Sequence, residues 1–440
     1  MQDLCAALSA TECSQLENGL SYALRSNMNS RLVTTCFAIG TGTSCETTKT
    51  NGLAHMATHL HILGTQKRTA KDISAEAELA GSEIQFFVHP EKTEYYLHLP
   101  PELVEAGIEI MSDCLMNSVF LEHVLKREQT VIEQEIVERR DNSFVFASDI
   151  INEVSFPNQG YGFCPLGTIE SMYELTVQML KDYSHQYFNP QNISIGAYGC
   201  IEFEKLQKHL ESYFGRYKNP EGATVPNKIK PIFENNHRYV CKPQKNELAH
   251  AFMNFPLSDD PKEIMVSQIV AKILGCGTSS RFFQGLRQER ALGYTMGSNV
   301  DSFGGLSFLK FYYSGWKKKE DYNLLGDAAL LLSQFSQNVT DNEVHSGRNK
   351  VFYDLNMALD YPFSCAGMLA EQSLYGENPT EAATFIDPLN LVTLEEVKIY
   401  AEKILMRNPA VSFVGNYQPV SYNALLEMMH GDANRQKSAA

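Results

Sequence analysis

Residues 51–68 read NGLAHMATHLHILGTQKR. The apolar spacing after Gly52 predicts a helix, and on it His55 and His59 stand four apart. That spacing stacks the two imidazoles on one face, one turn apart, where they can share a metal ion. A third protein ligand is needed. The helical stretch QTVIEQEIVERR at 129–140 offers Glu135, and Glu128 lies two turns earlier on the same face, placed to orient a ligand or a water. Spacing alone leaves a second reading open, because paired histidines and surface glutamates are common on helices. His61 and His89 read as ordinary surface or packing residues.

Around this stretch the first half reads as strand, helix, strand, then helices. LSYALRS at 20–26 and LVTTCFAIGTG at 32–42 are expected strands. EIQFFVHPEKTEYYLHLP at 83–100 is extended and broken by turn residues. From Pro100 to about Asp141 the apolar spacing is helical, then ISIGAYG at 193–199 reads as a strand and EKLQKHLESYF at 204–214 as an amphipathic helix. A Pro-, Asn- and Lys-rich segment follows and predicts a linker at 221–236, between a domain at 1–220 and a second at 237–440. YSHQYFNPQNISIGAYG at 183–199 is echoed by YAEKILMRNPAVSFVGNY at 400–417. In each, a Tyr-containing helix meets Asn-Pro and a short strand with glycine follows. The echo predicts two homologous α+β domains.

The 440 residues are 43% hydrophobic and 20% charged, enough apolar material for more than one core. Lys and Arg number 37 against 52 Asp and Glu, a formal charge of −15. That argues against a general nucleic-acid binder; it suits cationic partners such as basic peptides, and equally a charge that only keeps the protein soluble. The ten cysteines include no CxxC pair and read as reduced thiols. No apolar run is long enough to span a membrane. The opening MQDLCAALSATEC carries no Lys or Arg and does not look like a secretory signal or an Arg-rich transit peptide.

The 51–68 segment resembles the hallmark of the pitrilysin, insulinase and mitochondrial processing peptidase family, HxxEH within GLAHFLEHMxFxGTxxR. Gly52, Leu53, Ala54, His55, His59, Gly64, Thr65 and Arg68 fall into the pattern. GSEIQFFVHPEKTEYY at 81–96 is similar to the family's edge strand, with Gly81, Glu91, Thr93, Tyr95 and Tyr96 matching. LGCGTSSRFFQGLRQERALGY at 274–294 resembles LGGGxSSRLFQxLREKxGLAY, and its short loop is like that of the family's catalytic beta-type subunits. The resemblance implies two α+β domains, each a mixed sheet packed with helices, forming a clam-like shell. It implies a zinc site on His55, His59 and Glu135, with Glu128 supporting it. Arg287 and Tyr294 would reach the substrate, and Gln85, Phe86 and Glu91 would lie along it.

Three positions depart from the pattern. Thr58 stands where the family has the glutamate that takes a proton from the attacking water and passes it to the leaving amine. Gln85 replaces an Asn and Phe86 an Ala on the strand expected to pair with substrate. The resemblance therefore implies a processing peptidase beta-like protein, of reduced or lost activity, that binds basic presequence-like peptides beside an alpha-type subunit. It also admits a non-proteolytic core subunit of the mitochondrial cytochrome bc complex, with other respiratory subunits as partners. Both place the chain in the mitochondrial matrix or a related organelle.

Overall fold

The computed structural model describes residues 10–223, 225, 227–233, 239–244, 248–316, 324–377 and 386–437. The first nine residues, within the opening that does not look like a targeting signal, and parts of the 221–236 stretch expected as a linker lie outside them.

Two sheets organise the chain. The first contains β1 (Thr11–Gln15), β2 (Ser21–Ser26), β3 (Val33–Ile39), β4 (Gln85–Val88), β5 (Thr93–Leu99) and β6 (Ile193–Gly199), in the order β1-β2-β6-β3-β5-β4. The second contains β7 (Tyr239–Pro243), β8 (Leu248–Pro256), β9 (Gly293–Phe303), β10 (Leu306–Trp316) and β11 (Ala410–Gly415), in the order β7-β11-β8-β10-β9. Apart from the additional β1, the two orders are the same pattern. β2 and β6 run parallel, as do β7 and β11, and the remaining neighbours in both sheets are antiparallel. The Asn-Pro echo falls just before β6 and just before β11, which hold equivalent places. The fold is thus α+β with two like-built sheets.

In the first sheet the central strands are buried along their whole length, so that Thr34, Thr35 and Ser194 are buried along with their apolar neighbours. Phe37, Ile39, Tyr95, Leu97 and Ile195 point into the larger core. The helices that supply its other half include α1 (Leu53–His61), α2 (Val104–Asn117), α3 (Glu122–Asp141) and, after α4 (Ser143–Ser155), α5 (Phe203–Phe214). Cys36, Ala38 and Tyr96 point the opposite way. They meet a helix from far along the sequence. It follows α6 (Asp341–Asp360) and is α7 (Pro362–Leu374), which packs Ala366, Ala370 and Leu374 on them. Cys365 and Leu369 of α7 cover Ala23 and Tyr198. The contact is close because Gly196 of β6 has no side chain: a Cβ there would lie 1.9 Å from the Ala366 carbonyl oxygen.

The second sheet receives a helix in the reciprocal way. α4, from the first half of the chain, packs Ala147, Ile150 and Ile151 against Phe252, Ala410 and Val414. At its first turn Ser143 Oγ lies 2.8 Å from His250 Nε2, and His250 Nδ1 lies 2.7 Å from Ser314 Oγ. Burial pushes the His250 pKa down, and both its ring nitrogens have hydroxyl partners. One compact unit comprises the described residues of Met1–Ile136, Cys164–Lys228 and Leu355–Ile386. The other comprises those of Val137–Phe163, Ile229–Asp354 and Asp387–Ala440. A division by chain order therefore misses an exchange of one helical segment in each direction.

Among the described residues no helix is long and apolar enough to cross a membrane, and the cysteines are free thiols.

Candidate metal centre

Helix α1 begins under constraint. Gly52 sits at its N-cap with φ +94°, and a Cβ there would come 2.8 Å from the Leu166 carbonyl oxygen. The Glu46 carboxylate is buried at this helix start. It accepts the amides of Gly52 (3.0 Å) and Ala54 (2.7 Å) and the Asn51 side chain (3.0 Å). These bonds satisfy amides that the first turn leaves free, and the carboxylate lies at the positive end of the helix dipole. Burial raises the Glu46 pKa to about 7, against the pull of its hydrogen bonds. Sequence reasoning missed Glu46. A single acid ahead of a helix carries no signal of its own, and only the register of Gly-Leu-Ala-His over it reveals the cap.

The helix so fixed brings the histidines to α3. His59 Nε2 lies 3.2 Å from His55 Nε2. His55 Nε2 lies 3.0 Å from Glu135 Oε2, and His59 Nε2 3.8 Å from Glu135 Oε1. Among the described residues these three form the group of potential ligands whose donor atoms lie within 4.8 Å of one another. Glu128, two turns before Glu135, approaches His59 Nδ1 at 3.2 Å. A ring that donates from Nδ1 to this carboxylate turns the Nε2 lone pair toward the shared space. The His59 contact holds the Glu128 carboxyl below the usual range, and the His55 contact does the same for Glu135.

The donor set fits zinc. Two imidazole nitrogens and a carboxylate are a familiar triple for that ion, and the second carboxylate supplies the outer hydrogen bond such histidines use. The imidazoles are largely sheltered, each side chain 12% exposed, while Glu135 is 37% exposed.

Thr58 is fully buried, and its hydroxyl donates to the His55 carbonyl at 2.6 Å. Its proton is committed to its own helix. Phe86 of β4 lies edge-on to both imidazoles, its ring centroid 5.1 Å from His59 and 6.3 Å from His55. The Ala-to-Phe departure therefore places an aromatic wall beside the ligands. Gln85 is exposed on the next position of the same strand, and Glu91 lies in the turn that joins β4 to β5. Arg287 and Tyr294 belong to the second unit. There they pair with each other, the guanidinium carbon 4.1 Å from the ring centroid, and Tyr294 is 77% exposed. His61 is a packing residue, stacked on Phe188 at 4.0 Å, and His89 meets Glu94 at 3.1 Å.

Comparison with known proteins agrees with this arrangement. The family model for Insulinase (Peptidase family M16) matches residues 21–159, and that for the Peptidase M16 inactive domain matches residues 174–350. An uncharacterized zinc protease of Bacillus subtilis (strain 168) is 26% identical over 400 residues, covering 90% of this chain and 96% of its own length. The mitochondrial-processing peptidase subunit beta of Saccharomyces cerevisiae is 29% identical over 245 residues, 54% of this chain and 53% of that protein. In fold, a protease from Helicobacter pylori superposes with a TM-score of 0.84 at 16% identity, over 92% of this chain and 99% of its own. A chain of complex III2 from Candida albicans, with Inz-5 bound, superposes with a TM-score of 0.78 at 15% identity, over 95% of this chain and 99% of that one. The family models, the relatives and the His-His-Glu cluster agree, and the chain belongs to the insulinase-type M16 peptidase family.

Proposed function

We propose that this protein is a processing peptidase beta-like member of its family that binds extended, basic presequence-like peptides beside a zinc site, with hydrolysis reduced or lost. His55, His59 and Glu135 hold the ion, and Glu128 orients His59. The ion would supply Lewis acidity toward a peptide carbonyl. The observation that carries the proposal is Thr58, buried and with its hydroxyl tied to the His55 carbonyl. A hydroxyl is no general base at neutral pH, and loss of such a base costs roughly 10²–10⁴ in rate. The ligands remain while the proton acceptor is gone.

Peptide binding falls to β4. It is the edge of its sheet, so its outer backbone groups are open to an added strand. A cavity of about 180 Å³, lined by Ile62, Ile73, Ala77, Glu83 and Ile84 among others, opens at the start of this strand and offers room for a side chain. The chain's formal charge of −15 favours basic peptides. Arg287 and Tyr294 would contact the bound backbone. The expected partner is an alpha-type subunit, and the beta-subunit likeness supports a mitochondrial or related compartment. The same loss of the base supports a second reading, a non-proteolytic core subunit of a cytochrome bc complex.

The test is cleavage of a basic presequence peptide by wild type and by Thr58→Glu, with zinc and an alpha-type partner present. The expected outcome is a silent or slow wild type and a chelator-sensitive gain in Thr58→Glu of roughly 10²-fold or more. Brisk chelator-sensitive cleavage by wild type would overturn the assignment of Thr58. Silence in both proteins, with no peptide bound, would favour the core-subunit reading.

A further inference from the structure

Strand β4 has little to hold it. It is four residues long and pairs with one neighbour, β5, through Gln85–Tyr96, Phe86–Tyr95, Phe87–Glu94 and Val88–Thr93. Its inner face carries Phe86 to the imidazoles. An edge strand with a single short ladder is among the least stable parts of a sheet. Yet the position of Phe86, and of any strand added outside β4, depends on where β4 lies.

Helix α7 grips the β4–β5 hairpin at both ends. At the strand end Phe363 stacks on Tyr96 of β5, centroids 3.9 Å apart and planes at 15°, and takes the Phe87 ring edge-on at 5.6 Å. At the turn end Glu371 Oε2 meets Lys92 Nζ at 2.7 Å, and Lys92 also reaches Glu94. One residue past the helix, the Tyr375 hydroxyl donates to the Glu91 carbonyl at 3.0 Å. Between these points Gly367 lets the Tyr96 hydroxyl approach, since a Cβ there would sit 2.2 Å from it. All these residues belong to the first unit. Phe87 and Phe86 point to opposite faces of one strand, so what fixes Phe87 from outside fixes Phe86 against the histidines inside.

We propose that α7 is the positioning element of the peptide-binding edge: Phe363, Glu371 and Tyr375 clamp the β4–β5 hairpin and so set the register of β4 and of the peptide added to it. None of the three touches the metal ligands. They act through β4. The peptide half of the proposal rests on the binding function proposed above, while the clamp itself does not.

The experiment uses the full chain with zinc and compares Phe363→Ala, Phe363→Tyr, Glu371→Gln and Tyr375→Phe with wild type. Backbone hydrogen exchange is read over residues 85–99 against 33–39, and affinity is read for zinc and for a basic presequence peptide. Phe363→Ala should speed exchange at 85–99 by roughly tenfold or more, with 33–39 still protected. Phe363→Tyr, which keeps the stacked ring, should restore it. Zinc affinity should hold while peptide affinity falls by roughly tenfold. Because Phe363→Ala also loosens the helix, Tyr375→Phe and Glu371→Gln serve as milder variants, with faster exchange expected around residues 89–94. Unchanged exchange at 85–99 in all the variants would overturn the clamp. Faster exchange with undiminished peptide affinity would overturn its role in positioning the peptide. A wild type that binds no peptide, while the variants still exchange faster, would sink the peptide-binding function and leave the clamp standing.

Discussion

Glu128 would act on the proposed centre without being a ligand. Its carboxylate lies 3.2 Å from His59 Nδ1, and Arg127 Nε lies 3.1 Å from its other oxygen. A carboxylate so placed would fix the tautomer and the rotation of the His59 ring, so its loss should be felt as weaker metal binding rather than as unfolding. Glu128→Gln should lower zinc affinity by roughly 10–100-fold, read by competition with a chromogenic chelator, with the melting temperature of the zinc-free protein little changed. Equal zinc affinity in the two proteins would mean that Glu128 does not act through His59 on the metal. At this scale the sequence was informative where a motif repeats a known spacing. His55, His59 and Glu135 come together as expected from their places on two helices. It was uninformative where chemistry depends on direction. That Thr58 turns its hydroxyl into its own helix, and that Phe86 faces the imidazoles while Gln85 faces out, follows from rotamer and register.

The elements show why some contacts are invisible in one dimension. Strand and helix positions followed from composition and periodicity, because burial on both faces makes β3 and β6 rich in apolar and small residues and one-sided burial makes α5 amphipathic. Which helix covers which sheet did not follow. α7 lies more than three hundred residues after β3 in the chain, and its small residues, Ala366, Gly367 and Ala370, give no hint of a partner. The evidence is in the fit. Gly196 of β6 faces the α7 backbone, where a Cβ would be 1.9 Å from the Ala366 carbonyl oxygen and 2.5 Å from the Ala370 amide nitrogen. Backbone atoms cannot swing aside as side-chain tips do. Gly196→Ala should therefore force α7 off the sheet and destabilise the protein by about 2–3 kcal/mol or more in denaturant unfolding. An alanine there that leaves the midpoint unmoved would mean that α7 is not seated on β6 in this way.

For the whole molecule, the exchange of helical segments decides what can fold alone. A fragment cut at the expected linker, residues 1–228, keeps the first sheet, helices α1, α2 and α3 and the complete His-His-Glu set, but lacks α7. The outward face of that sheet, with Cys36, Ala38, Tyr96, Ala23 and Tyr198, would lose the cover of Cys365, Ala366, Leu369, Ala370 and Leu374. Burying a large apolar side chain stabilises by about 1.5–3 kcal/mol. Exposing several at once consumes a margin that is about 5–15 kcal/mol for a whole domain. The fragment also retains α4, whose apolar residues Ala147, Ile150 and Ile151 would then lack the second sheet. Residues 1–228 should therefore bind a hydrophobic dye and unfold without a sharp transition, even though every metal ligand is present. Supplying residues 341–386 in trans should restore protection of β3 and β6 in hydrogen exchange, because that segment carries α7 with the helix that precedes it. A cooperative transition for residues 1–228 alone would show that the first sheet closes its core without the borrowed helix, and the two units would then divide where the chain order suggests.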